Sequence, residues 1–500
     1  MPSLSRRRFL RVAGATAGTA LLGACAPKVI KETVVVEKAV EKVVKETVVV
    51  KEAVEVEKEV TRVVEKVVEK EAPQKAAEPV TISYFAYAGG SSEDIEDALV
   101  KRFQEMHPNV TIEWSILGWP QYADKRKVMI AGRTIQDVFA FSSSRYFIEG
   151  ALADLTPFWE RDLTEINVDD LVPALNRGWI CKKLWGISQG GSNHVLWYNK
   201  DQFDEAGVPY PDWDLTWEGF AEMCVKLTHD SKGRTPRDSG FDKTDVVQWG
   251  TAGGPWIYKH TGQWGPVWNA YGGKWFDNDE APTRWTILDK PEAIAGAQLF
   301  FDLIHKYQCM PPQELKAAGG QTIGFDAGGS STVYVWSEVT VGFQKNCAFD
   351  WRAAPMPKGP AKRSTWSAIK YYSMAEWSKQ KDWAWEFLKF LNSEAGWQIK
   401  SALGTGLIPA RYSVLKSPWF MKPFPNLDKE LLGSEEIMNS IDPWPGGWIQ
   451  EFMLPDGIST LTEDPFEECV LGNKTAEQVF KEIEPQLQEK LKEGMAKPIC

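Results

Sequence analysis

One stretch, Leu184–Thr228, sets the pattern for the folded part of the chain: LWGISQGGSNHVLWYNKDQFDEAGVPYPDWDLTWEGFAEMCVKLT. A Gly/Ser-rich approach, Gly186 to Asn193, leads into a short β run, His194–Tyr198, closed by Asn199-Lys200. Asp201 is expected to cap a short helix that stops at Gly207, because a side-chain oxygen satisfies the first free amides and glycine tolerates the left-handed exit. After a Pro-rich turn, Thr216 starts a longer helix. Its apolar residues Trp217, Phe220, Ala221, Cys224 and Val225 fall at i, i+3, i+4, i+7 and i+8, one helical face.

The N-terminus has a separate logic. Ser5-Arg6-Arg7-Arg8-Phe9-Leu10-Arg11 reads as a twin-arginine export motif, followed by a small-residue apolar stretch, Val12 to Ala20. Leu22-Gly23-Ala24-Cys25 then reads as a lipobox, which makes residues 1–24 a signal peptide and Cys25 the lipidated first residue of the mature chain. The competing reading, a membrane-spanning anchor, needs about 20 consecutive apolar residues, more than are present. Several acyl chains on one cysteine would anchor the chain stably. The formal charge is −11, and loss of the leader's four arginines would make the mature chain more acidic still. Such a chain is a poor partner for nucleic acid, and electrostatics would not hold it on an anionic membrane.

Residues 25–79 form a low-complexity segment of Val, Glu and Lys with a 14-residue repeat: KETVVVEKAVEKVV at Lys31–Val44, then KETVVVKEAVEVEK at Lys45–Lys58. Fourteen is two heptads, so a helical stalk is one reading, about 63 Å long if fully helical. A solvated spacer is the other, since valine is a modest helix former.

From Val80 onward the composition is that of folded protein, and about 420 residues are too many for one core, so two domains are expected. Val80–Tyr87 alternates apolar and polar. Ser92 begins an acidic-started helix to about Met106, Val110–Ile116 is a second strand and Val138–Phe141 a third. Strand–helix–strand alternation argues an α/β fold with a largely parallel sheet. Further on, Pro291–Tyr307 reads as a helix, Ser331–Ser337 as an apolar run, and Asn473-Lys474-Thr475-Ala476-Glu477 as the cap of a last amphipathic helix that Pro485 should kink.

These segments, in this order, resemble the bacterial extracellular solute-binding proteins that feed ABC importers, the maltose-binding-protein-like sugar group. The resemblance rests on Tyr198-Asn199-Lys200-Asp201-Gln202-Phe203 with Ala206-Gly207, then Thr216-Trp217 and Phe220. It also rests on Gly150-Ala151-Leu152-Ala153-Asp154-Leu155-Thr156-Pro157, Trp351–Pro360, the helix AWEFLKFLNSEAGWQ and Gly406-Leu407-Ile408-Pro409. It implies a two-lobed periplasmic-binding-protein-like fold with discontinuous lobes, 80–190 plus 371–433 and 191–370 plus 434–500. The hinge crossings would lie near Gly190-Gly191, Lys370 and Gly433, with glycine suited to absorbing backbone rotation. It implies a carbohydrate ligand held between the lobes, an ABC permease in the membrane as partner, no cofactor and an extracytoplasmic, lipid-anchored location.

Twenty-four tryptophans make aromatic stacking on a sugar face the natural chemistry to look for. Trp217, Trp383 and Trp385 sit in helical patterns and read as packing residues. Trp256, Trp264, Trp268, Trp336, Trp366, Trp444 and Trp448 lie among Gly, Pro or Ser and are candidates for the cleft. The resemblance sharpens this residue by residue to Tyr87, Phe141, Arg145, Ser192, Asn193, Trp264, Trp336, Trp366 and Trp444 as ligand contacts. Ser144 stands where the maltose binder commonly has an acid, which puts maltose itself in doubt.

Other chemistries have weaker support. Gly186-Ile187-Ser188-Gln189-Gly190 matches the nucleophile-elbow pattern, but that motif needs a strand–turn–helix, and a β run follows here. No carboxylate pair is marked out for glycoside cleavage. No paired CxxC, HExxH or P-loop is present, and the five histidines are scattered, so no metal site is expected. Asp277-Asn278-Asp279-Glu280 reads as a solvated hairpin tip rather than a calcium loop. Cys224, on an apolar helical face, reads as a buried thiol. An extracellular carbohydrate-active enzyme and a surface adhesion protein remain as alternatives to a binding protein.

Overall fold

The structure is a computed structural model that describes residues 78–495 apart from 90, 119–120, 142–149, 181, 255–257, 279–281, 313–323, 421 and 443–458. The leader, Cys25, the repeat segment, Cys181 and Cys500 lie outside the described residues.

The first α/β unit forms as the alternation predicts. Strand β1 (Val80–Tyr87), helix α1 (Glu93–Met106) and strand β2 (Val110–Leu117) follow in order, and β1 pairs in parallel with β2 from Val80↔Val110 to Tyr87↔Leu117. Ser92 caps α1, its side chain accepting from the Ile95 amide, and Glu93, Asp94 and Glu96 load the first turn with the charge its dipole favours. Helix α2 (Gln121–Ala131) leads to β3 (Val138–Phe141), which lies parallel to β1 on its other side.

The next strand departs from expectation. The Gly/Ser-rich approach does not precede the β run but belongs to it: β4 spans Ile187–Asn199, thirteen residues that are all buried. Glycines lower strand propensity in isolation, but here both edges of the backbone are occupied. One edge pairs with β7, described below, and on the other Gly191 and Ile408 exchange both backbone hydrogen bonds, at 2.9 and 2.7 Å. Pairing and burial outweigh local preference. The helix after it, α3 (Lys200–Ala206), is capped by the side chain of Asn199, which accepts from the Gln202 amide, rather than by Asp201, and it ends on left-handed Gly207 as expected. Thr216 caps α4 (Trp217–Leu227), and Trp217, Phe220, Ala221, Cys224 and Val225 are all buried.

Beyond lie α5 (Thr261–Ala270), α6 (Pro291–His305), β5 (Thr332–Trp336), β6 (Trp351–Ala354), β7 (Thr365–Met374), α7 (Lys381–Leu391), α8 (Glu394–Ala402), β8 (Ile441–Asp442) and α9 (Ala476–Met495). Helix α9 runs on through Pro485.

The strands form one connected ladder, β6-β4-β7-β3-β1-β2, with β5 also on β4 and β8 also on β7. Two long antiparallel strands, β4 and β7, hold it together. They pair from Tyr372↔Ile187 to Ser367↔Asn193, with a register shift between Lys370 and Tyr371. On one side of that shift β7 continues against β3, and on the other β4 continues against β5 and β6. The ladder thus has two halves that share a two-stranded waist, and the register shift falls within that waist.

Each half has its own core. One gathers β1, β2, β3, α1 and α7 around Tyr84, Phe103, Trp385 and Phe387. The other gathers α4, α5, α6 and α9 around Trp217, Trp264, Trp268, Phe301 and Phe480. A third cluster packs Ile408, Leu415, Leu432, Ile437 and Ile441 against Val195, Trp197, Val333 and Trp351 of the second half's strands.

Candidate functional site

The waist concentrates buried polar groups that a purely structural crossing does not need. Ser188, Gln189, Ser192, Asn193, His194, Ser367 and Lys370 are all buried. Gly191 has little room: a Cβ there would meet Leu175 Cδ2 at 2.6 Å, Ser367 Oγ at 2.7 Å and Asn193 Oδ1 at 3.3 Å. Both amide atoms of Asn193, and Ser367 Oγ, have no hydrogen-bond partner among the described residues. Buried polar atoms are nearly always satisfied, so this cluster stands out from the packed core around it.

On the opposite face of β4 the structure brings three of the expected contacts together. Tyr87 ends β1 on one side. Its ring lies under Lys370, with Nζ 5.1 Å from the centroid. Burial, then the Glu338 carboxylate, push its phenol up to about 12, against a smaller opposing pull from Arg126. Lys370 Nζ donates to the Gly89 carbonyl at 2.9 Å and to Glu338 Oε2. The Glu338 amide in turn donates to Ser192 Oγ at 3.4 Å. Trp336, at the end of β5, stands opposite His194 of β4, ring centroids 4.2 Å apart. Burial, with His260 nearby, lowers the His194 imidazole to about 3, so this ring is neutral at any physiological pH. Tyr87, Ser192 and Trp336 therefore share one locality, with an ammonium and a carboxylate at its floor, while Asn193 points to the other face of β4 with Ser367.

Two other expected contacts stand elsewhere. Trp264 is fully buried in α5, stacked on Phe466 at 4.4 Å and edge-on to Phe480 at 5.5 Å, with its Nε1 donating to the Lys259 carbonyl. Its rings are covered by the chain's own core, which is a packing position and differs from the expected cleft contact. Trp366 is also fully buried, its Nε1 donating to Asn269 Oδ1 at 2.9 Å, and its ring fills the space over Gly265, where a Cβ would fall 2.2 Å from it. The side chain of Phe141, and Arg145, Trp444, Trp256 and Trp448, lie outside the described residues.

Sequence reasoning missed Lys370 and Glu338 as site residues. Lys370 was expected only as a crossing point, and Glu338 follows an apolar run without any pattern around it. Their pairing is tertiary and leaves no local signal.

The elbow pattern finds no elbow here. Ser188 lies within β4, and its Oγ accepts from the Gly190 amide at 3.1 Å. Asp277 is occupied by its own hairpin, accepting from the Thr283 and Arg284 amides. Among the described residues no group of three His, Cys, Asp or Glu side chains is placed to hold a metal ion, and no helix is long and apolar enough to cross a membrane. Cys224, Cys309, Cys347 and Cys469 are free thiols.

Comparison with known proteins gives a consistent result. The profile of the bacterial extracellular solute-binding proteins matches residues 89–396. A mannitol-binding protein of Pseudomonas aeruginosa is 22% identical over 402 residues, 76% of this chain and 86% of that protein. Among solved structures, an ABC substrate-binding protein of Listeria monocytogenes in complex with cycloalternan superposes with a TM-score of 0.65 at 22% identity, covering 83% of this chain and 100% of that one. A Mycobacterium tuberculosis protein in complex with glycerophosphocholine superposes with a TM-score of 0.65 at 20% identity, covering 83% and 99%. The two-halved ladder with its shared waist is the two-lobed fold of these binding proteins.

Proposed function

We propose, from the premise that this chain belongs to the bacterial extracellular solute-binding protein family, that it captures a carbohydrate or polyol between two lobes and delivers it to an ABC permease. Binding is the whole of its chemistry in this reading: a ligand that touches both lobes favours the closed form by its differential affinity, and the permease reads that form. The lobes would be 80–190 with 371 onward, and 191–370 with the C-terminal part. The third crossing is better placed at Gly406–Ile408 than at Gly433, because Ile408 pairs with Gly191 and the chain after it packs against second-lobe strands. The twin-arginine leader and lipidation at Cys25 would hold the protein on the outer face of the membrane.

The observation that carries the ligand class is the locality at the waist. Tyr87 of one half packs against Lys370, and Trp336 of the other stands just before Glu338, whose amide donates to Ser192 Oγ; apolar ring faces beside polar groups suit a molecule with C–H faces and a rim of hydroxyls. The mannitol and cycloalternan partners of the relatives point the same way. A phosphate-bearing ligand such as glycerophosphocholine fits less well, since the ammonium at the floor, Lys370, is already held by Glu338 and Gly89.

The test is calorimetric titration with mannitol, ribitol, maltotriose and longer glucans, followed by chromatography of the recovered ligand. A saturable isotherm with the ligand recovered intact is expected. Shortened products would instead support a carbohydrate-active enzyme.

A further inference from the structure

The three segments that link the two halves meet at one ion pair. Lys370 lies on β7 at the register shift, opposite Gly190 of β4. Its ammonium reaches the Gly89 carbonyl in the loop after β1, which belongs to the first half, and the Glu338 carboxylate in the turn after β5, which belongs to the second. Glu338 is also in contact with the other two links. Its amide donates to Ser192 Oγ on β4, and a Cβ on Gly406 would fall 2.5 Å from its Cα. Next to it, Ser337 Oγ donates to the Gly406 carbonyl at 2.8 Å. The pair is shielded: the Lys370 side chain is 8% exposed and that of Glu338 23%. On the first-half side, the Tyr87 ring packs so closely over Gly89 that a Cβ there would fall 2.2 Å from it, so the loop, the ring and the ammonium form one packed unit.

We propose that Lys370 is a positioning residue that straps the Tyr87–Gly89 loop of one lobe to Glu338 of the other across the hinge, so that lobe rotation requires one of its two bonds to break. This rests on the two-lobed binding reading above. Gly89 and Glu338 belong to different rigid bodies, while Lys370 sits on the strand between them. A rotation about the waist changes the Gly89–Glu338 separation, and a single ammonium can follow only one of the two. Shielding makes the choice discrete, because a poorly hydrated ammonium cannot exchange its protein partners for water at little cost. The strap also explains how Tyr87 and Trp336, on opposite lobes, are held at one locality without touching each other's elements: each adjoins one end of the same ion pair.

The experiment is hydrogen exchange by mass spectrometry on the ligand-free full chain, as wild type, Lys370→Met and the double variant Lys370→Met/Glu338→Gln. The double variant leaves no unpaired charge and keeps the test valid if the single variant folds poorly. Exchange should accelerate together, by about tenfold or more, in peptides covering 86–92 and 336–342, with α7 unchanged. Acceleration in one segment alone, equal acceleration in α7, or none would overturn the strap. A second readout separates the strap from the function it serves. Against the sugar or polyol that wild type binds, Lys370→Met should raise the Kd by about fivefold or more. If wild type binds no sugar or polyol, the carbohydrate reading fails while the exchange pattern still decides the strap.

Discussion

Replacing Gly190 with alanine should cost the protein more stability than the same change at its neighbour Gly191 or at Gly433, near another expected crossing. Gly190 has φ +116, a conformation that L side chains rarely adopt. A Cβ there would also lie 2.6 Å from Trp397 Cη2 and 2.8 Å from the Ile408 carbonyl oxygen. Neither neighbour can give way. Trp397 is fully buried, donates to Asn392 Oδ1 at 3.2 Å and carries the Lys400 ammonium 4.6 Å from its ring centroid. Ile408 accepts the Gly191 amide at 2.9 Å. Backbone strain of about 1–3 kcal/mol adds to overpacking of about 1–3 kcal/mol. The total, about 2–6 kcal/mol, is a large share of a typical stability of about 5–15 kcal/mol. Gly191 carries no such φ, and its close neighbours are the ends of the Leu175, Ser367 and Asn193 side chains, so Gly191→Ala should cost only the overpacking part. At Gly433 the nearest atoms are 3.7 Å away, ordinary contact, so Gly433→Ala should be nearly neutral. Guanidinium unfolding followed by tryptophan fluorescence would rank the three midpoints. Gly190→Ala at the wild-type midpoint, or Gly433→Ala below Gly190→Ala, would refute the reasoning that the crossing is built around the Gly190 backbone.

Three further outcomes are expected. Trp336→Ala should weaken ligand binding by about 1–2 kcal/mol, roughly 5–30-fold in Kd, with a small change in stability. Trp264→Ala should do the reverse, losing about 3–5 kcal/mol of stability with the affinity of the folded fraction kept, as paired calorimetry and denaturation would read. The third concerns a buried pair. Glu96 and Lys400 are both buried; burial raises the Glu96 carboxyl, against pulls from Ser91 and Lys400, and lowers the Lys400 ammonium to about 7. An unfolded chain then binds a proton at Lys400 that the folded chain gives up, so stability owed to this lysine rises with pH from about 7 toward the unfolded value of 10.5. Lys400→Met should flatten that slope. Wild-type and variant midpoints compared at about pH 7 and about pH 9 check it, and parallel lines would contradict it.

What the sequence showed of this fold follows from where its signals are local. The helix starts at Ser92 and Thr216, the Gly207 stop and the face of α4 all rest on residues within a turn or two of each other, and all stand in the structure as read. Helix α5 was not legible. Gly262, Gly265 and Pro266 argue against a helix by propensity, yet every residue of α5 is buried, and Gly265 is where the Trp366 ring fits. Reading that segment as a loop led directly to placing Trp264 at a cleft. The glycines of β4 misled in the same way. Of the site, Tyr87, Ser192 and Trp336 were within reach of residue type and resemblance. Lys370 and Glu338 were not, because a contact across 32 positions leaves no periodicity to find.

The most direct test of carbohydrate capture is a thermal-shift screen of the full chain against mono- and oligosaccharides, polyols, amino acids and peptides. A ligand that binds only the folded state, at a hundredfold over its Kd, adds about 2.7 kcal/mol. A selective rise with one class of sugar or polyol is the expected result. A rise confined to amino acids or peptides would keep the fold and contradict the assignment of the ligand.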